Sequence, residues 1–228
     1  MMVTDLGMCL ATGTNWLNYI DTPKKGVNVL YAQTEVPDRM LQERVEKIAG
    51  NMPLEGAVSP NGSWKWQDHL WLWTEHYLKL DQNAGYGLLT KHVKALKPSV
   101  VIIDPLYSLV SGSFLKVEVA GPFLDRMNAL IANHHLALVI VAHPRKGEPD
   151  QYGADDLMGS SLFADWADTV IRVTRQGGGT SASDNLKLEF KKARHAVELL
   201  HDVSVVVDRK SLAMKGGAFS VAPPQQKR

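Results

Sequence analysis

Two stretches of this chain, Val100-Val101-Ile102-Ile103 and Ala137-Leu138-Val139-Ile140-Val141-Ala142, are apolar at every position. A strand with one wet face alternates apolar and polar residues, whereas a strand buried on both faces has no reason to. A third short stretch, Val27–Ala32, is β-branched, and helical stretches separate the three. That rhythm predicts a mostly parallel sheet with helices on both faces, an α/β sandwich. Each strand also delivers one polar, titratable residue at its carboxyl end: Glu35, Asp104 and His143. In an open α/β sheet, ligands bind at those ends.

The helices follow from apolar spacing. Residues 2–13 carry Met2, Leu6, Cys9 and Gly13 on one face. Pro37 suits the first turn of a helix whose inner face is Leu41, Val45 and Ile48 and whose stop is Gly50. Residues 51–69, rich in Pro, Gly, Asn and Ser, read as a surface excursion, and Leu70–Trp73 as a short strand. Helices are expected at about 86–97, with Leu89, Val93 and Leu96 inward, and at about 119–135, with Leu124, Met127, Ile131 and His134. From about 169 the rhythm changes. Thr169–Thr174, Leu186–Phe190 and Val203–Val207 read as strands without intervening helices, joined in part by a loop over Gln176–Asn185. They are expected to extend the parallel sheet as antiparallel strands. The expected core is 1–215, with 216–228 a flexible tail.

Composition excludes several classes. With 228 residues, 45% hydrophobic and 21% charged, the chain is long enough for one sizeable domain of ordinary soluble type. A net charge of +1 gives the whole molecule no general attraction for nucleic acid or anionic membrane. Residues 186–228 are mildly basic, with nine Lys/Arg against four Asp/Glu. No apolar run approaches the ~18 residues of a membrane span, and the N-terminus lacks the plan of a signal peptide. The one cysteine, Cys9, excludes an internal disulfide and reads as core filler, which fits a reducing cytosol.

The candidate chemistry sits at the strand ends. Asp104 is placed to hold Mg²⁺ largely through water, because that ion keeps most of its hydration shell; an aspartate ahead of Pro105 also serves as a turn cap. Glu35 is placed to polarise a water for attack on a terminal phosphate, or to complement the dipole of the helix after it. His143, followed by Arg145 and Lys146, is placed to bond a phosphate while the two cations add attraction; it also reads as a loop histidine before a proline. His134 and His135 lack metal-ligand spacing and read as structural. Lys192 and Arg194 share one side of a strand, because side chains alternate with period two. They suit gripping a nucleotide phosphate on a neighbouring subunit, or defending a solvated edge.

Taken in order, these segments resemble the RecA-like ATPases, and within them the RepA-type and DnaB-type hexameric replicative helicases. Val29-Leu-Tyr-Ala-Gln-Thr-Glu35 looks like the family's second strand and catalytic glutamate, and Val100–Leu106 like its Walker B strand. His143-Pro-Arg-Lys-Gly147 looks like the phosphate-sensing loop, and Met158–Asp165 like the glycine-serine segment after it. Lys191-Lys-Ala-Arg194 is similar to the strand whose cations act in trans. The likeness spans roughly residues 1–215. It implies Glu35 as water-activating base, Asp104 as Mg²⁺ ligand, His143 as γ-phosphate sensor, Lys192 and Arg194 as trans-acting cations, ATP as cofactor and a homo-oligomeric ring or filament.

One part of that pattern has no counterpart. The sequence contains no GxxxxGK[ST] loop to supply backbone N–H groups and a lysine to the phosphates, and its one Lys-Ser, Lys210-Ser211, follows no glycines. A truncated chain, lacking the first strand and phosphate loop, is the expected reason, and weak ATP binding the expected result. Two functions follow as expectations: an ATPase of the replicative-helicase kind, or a catalytically silent RecA-like subunit of an assembly. Single-stranded DNA is expected to bind weakly and with steep salt dependence, since residues 144–158 hold two basic residues against four acidic ones.

Overall fold

The computed structural model describes residues 1–53, 57–59, 62–113, 116–143, 161–177, 180–197 and 200–218. Four strands form a parallel sheet: β1 (Val29–Gln33), β2 (Leu70–Thr74), β3 (Val100–Asp104) and β4 (Ala137–Ile140), in the order β2-β1-β3-β4. Alternate residues of the central strands enter two different cores. Val29, Tyr31 and Ile102 pack with α1 (Met2–Thr12) and α2 (Asp38–Ala49). Leu30, Val101 and Ile103 pack with α4 (Asn83–Leu96) and α5 (Val117–His134) on the other face. A strand sandwiched in this way has no solvent face to mark, which is why its sequence does not alternate. The resulting helix–sheet–helix layering is consistent with the expected RecA-like fold.

The faces read from spacing are buried at Leu41, Val45 and Ile48 in α2, Leu89 and Val93 in α4, and Leu124 and Met127 in α5, while Leu96, Ile131 and His134 are only half-buried. The face expected for α1 needs correcting: Met2 and Leu6 are half-buried, and Thr4, Met8 and Ala11 are buried beside Cys9. Helix α1 ends where Gly13, at φ 79°, turns left-handed and donates its N–H to the carbonyl of Cys9. A Cβ there would meet the Lys24 carbonyl oxygen at 2.3 Å, so only glycine fits both the turn and the contact.

Three further expectations need correcting. The antiparallel strands do not extend the parallel sheet. β5 (Thr169–Gln176), β6 (Ser183–Ala193), β7 (Val203–Asp208) and an unforeseen β8 (Met214–Ala218) form a sheet of their own, in that order. The two sheets join through side chains: Leu188, Val203, Val205, Val207 and Met214 share one core with Met8, Trp16 and Leu17. Strand β8 carries ordered pairing to Ala218, beyond the expected end of the core at 215. Within 51–69 the chain does not simply skirt the surface, because Met52 and Ala57 are buried and Trp66–His69 forms a short α3.

The wholly apolar β4 was expected to be buried on both faces, but it lies at the edge of the sheet, with Ala137 exposed and Leu138–Ile140 half-buried. Its main-chain donors at Ala137 and Val141 are given to Ser99 and Ile103. In a parallel ladder the intervening residues point the other way, so Leu138 and Ile140 turn their main-chain groups outward, where no strand lies beside them among the described residues.

Candidate functional site

The ladder between β1 and β3 aligns Gln33 with Asp104, and Thr34 extends it by donating its N–H to the Asp104 carbonyl at 3.2 Å. Glu35 and Asp104 therefore leave adjacent strand ends. Asp104 is half-buried, and its carboxylate accepts a 2.5 Å hydrogen bond on Oδ2 from the hydroxyl of Tyr31. Tyr31 is 1% exposed, and burial, reinforced by the charge and hydrogen bond of Asp104, pushes its phenol well above the usual tyrosine range. The positive charge of Arg44 on α2 acts on the same phenol in the opposite direction.

Glu35 is exposed and sits in the turn between β1 and α2. The buried Gln33 side chain clamps that turn. Its Oε1 accepts from the main-chain N–H groups of Val36 (2.7 Å) and Glu35 (3.2 Å), and its Nε2 donates to the Val36 carbonyl (2.5 Å). A second set of bonds braces Thr34. Its hydroxyl meets Ser108 in a close hydrogen bond, and its carbonyl lies 2.9 Å from His76 Nδ1. Lys79 in turn donates to the Ser108 carbonyl at 2.6 Å. The Glu35 backbone is thus fixed while its carboxylate is left in water.

His143, also exposed, follows β4, whose Ile140 aligns with Ile103 of β3. Its ring lies 5.9 Å from that of Tyr107, in the turn after Asp104. The strands β1, β3 and β4 thus bring Glu35, Asp104 and His143 to the same, carboxyl end of the sheet, as parallel strands in register must. Arg145, Lys146 and Met158–Ser160 lie outside the described residues.

Lys192 and Arg194 converge, though on a target that spacing did not disclose. Lys192 Nζ donates to the carbonyls of Ala164 (2.7 Å) and Asp165 (2.9 Å), at the end of α6 (Ser161–Trp166). Arg194 donates to the same Asp165 carbonyl (2.7 Å) and to the Asp168 carboxylate (3.0 Å). Cations at a helix C-terminus satisfy orphan carbonyls and oppose the helix dipole. In this structure the pair therefore caps its own helix.

Part of the basic excess in the last fifth is paired within the sheet. Lys187 pairs with Asp202 at 2.8 Å, Lys191 with Glu189 at 3.0 Å, and Arg209 with Asp184 at 2.7 Å. Cys9 behaves as packing. It is 4% exposed, and burial, helped by the charge of Asp5, pushes its thiol up to about 12. His135 takes the left-handed C-cap of α5, a structural place.

Sequence reasoning missed Tyr31, Gln33 and Arg44. A tyrosine and a glutamine two apart in an otherwise aliphatic strand were the available signal, since both must aim their polar ends at one face. For a metal, the described residues offer no cluster of three or more His, Cys, Asp or Glu. One carboxylate with an oxygen to spare fits Mg²⁺, which is bound by one or two carboxylates and several waters; a closed protein cage would not. No helix among the described residues is long and apolar enough to cross a membrane.

No curated protein matches the chain. A family model described as an AAA domain matches residues 1–149, which contain all three strand ends and the helices that cover them. Membership in such a family brings nucleotide hydrolysis, with nucleotide and Mg²⁺ use, in general terms. The chain belongs to the AAA domain family.

Proposed function

We propose that this protein is a RecA-like ATPase subunit of the replicative-helicase kind, working in the cytoplasm as part of a homo-oligomeric ring. The observation that supports the reading is the pairing of Gln33 with Asp104, which sets Glu35 two residues past the end of the strand beside Asp104, with His143 following the next strand. Asp104 would hold Mg²⁺ through its remaining oxygen, and the ion would screen the phosphate charge. Glu35 accepts a proton from a water as that water's oxygen bonds to the terminal phosphorus and the bond to the leaving diphosphate breaks. His143 bonds the terminal phosphate, Arg145 and Lys146 add positive charge beside it, and single-stranded DNA is the polymer on which the assembly moves.

The chain's own hold on ATP is weak in this reading, because backbone N–H groups and a lysine from a GxxxxGK[ST] loop are not in its sequence. Calorimetry of Mg-ATP against the 228-residue protein is expected to show no better than about millimolar affinity, equivalent to roughly 4 kcal/mol. Micromolar binding would overturn that expectation.

The capping role of Lys192 and Arg194 favours a second reading, a silent subunit whose cations serve only its own fold. The two readings part on one variant. If the cations act in trans, hydrolysis by a loop-bearing family partner rises when this protein is added. Arg194→Ala is then expected to abolish at least about 10³-fold of that stimulation, the scale of an arginine finger. An unchanged rate with Arg194→Ala would leave only the capping role.

A further inference from the structure

Tyr31 belongs to no role assigned so far, yet it makes the one side-chain bond to Asp104 described above. The β1–β3 register pairs Tyr31 with Ile102, so its phenol reaches one diagonal step toward the strand end to meet Oδ2 at 2.5 Å. Both strands are interior, and Tyr31 packs at 1% exposure among core side chains of α1 and α2. A donor locked in that way fixes the carboxylate plane and occupies one of its two oxygens. What remains for a cation is the other oxygen alone.

We propose that Tyr31 is a positioning residue that makes Asp104 a one-oxygen ligand and thereby selects Mg²⁺ over Ca²⁺. The inference rests on the reading of Asp104 as the metal ligand. Its chemistry is that of the two ions. Mg²⁺ demands near-octahedral geometry, keeps several waters and is content with single carboxylate oxygens. Ca²⁺ takes six to eight oxygens and gains from a carboxylate that can close on it with both. A phenol holding Oδ2 denies the second mode and leaves the first intact.

The test follows Mn²⁺ bound to the full chain by its electron paramagnetic resonance signal and displaces it with Mg²⁺ or Ca²⁺. Asp104→Asn marks any signal that comes from other sites. Removing partners that orient metal ligands commonly changes metal affinity about 10–100-fold. Tyr31→Phe, which keeps the ring, is accordingly expected to move the Ca²⁺-to-Mg²⁺ displacement ratio at least about 5-fold toward Ca²⁺. Tyr31→Met is expected to move it the same way should the phenylalanine variant fold poorly. A ratio unchanged in a variant that still binds both ions overturns the role of Tyr31 and leaves Asp104 a ligand. Wild-type binding no greater than that of Asp104→Asn overturns the metal reading itself, and this inference with it.

Discussion

Gly85→Ala is expected to lower the stability of the protein by about 3 kcal/mol, because the added methyl has nowhere to go. A Cβ at this buried position of α4 would lie 2.1 Å from the Lys79 carbonyl oxygen and 2.7 Å from its carbonyl carbon. Those are main-chain atoms and cannot rotate aside. The gain in helix propensity on replacing glycine, about 1 kcal/mol, offsets only part of the clash. For a chain of this length the loss corresponds to a fall in Tm of about 6–12 °C. The effect also reaches the strand ends. Lys79 is bonded to Ser108, whose hydroxyl meets Thr34 next to Glu35, so a displaced Lys79 slackens the turn that carries the carboxylate. Faster amide exchange at Thr34–Val36 would report it, and a Tm within about 2 °C of wild type would refute the clash.

The second large effect concerns charge. Asp5 of α1 is 9% exposed, its Oδ2 has no hydrogen-bond partner among the described residues, and burial raises its carboxyl from 3.8 to about 6. The positive charge of the Met1 amino group opposes that rise without cancelling it. With the folded value above the unfolded one, the native state binds more protons between pH 4 and pH 6. The contribution of Asp5 to stability therefore falls as pH rises through that window and levels off above it. The loss amounts to about 3 kcal/mol. Asp5→Asn, which cannot ionise, is expected to flatten the pH dependence and to exceed the wild type most at pH 7 and above. Chemical denaturation of both proteins at pH 4 and pH 7.5 measures it. Parallel curves would show that Asp5 finds a partner in solution.

The sandwich was legible because burial imposes period on sequence. An apolar run with no alternation can only be a strand wet on neither face or a buried helix, and the short Val100–Ile103 settles it as strand. Where period is too short to register, reading failed. Trp66–His69 offers one turn of helix, and Met214-Lys-Gly-Gly-Ala looks like a turn while pairing as β8. Close approach explains the first of the two glycines there: at Gly216 a Cβ would meet Leu17 and Tyr19 of the loop after α1 at 3.1 Å.

At the strand ends, Asp104 and His143 were visible because each is the first polar residue after an apolar run, and Glu35 because it is the first carboxylate after Val29–Ala32. Their supports were not, since Tyr31 reaches Asp104 across 73 positions of sequence and only the β1–β3 register brings them together. Lys192 and Arg194 show the same division. Period two put them on one side of a strand. Nothing local could reveal that the carbonyl of Asp165 would be waiting for both.

The outward main chain of Leu138 and Ile140 has a consequence for how the protein behaves in bulk. An edge strand built only of Ala, Leu, Val and Ile carries no lysine, proline or bulge to deter another strand from pairing with it. A net charge of +1 adds little mutual repulsion between molecules. Among the described residues nothing covers that edge, so β4 offers main-chain groups on which a strand of another molecule can pair.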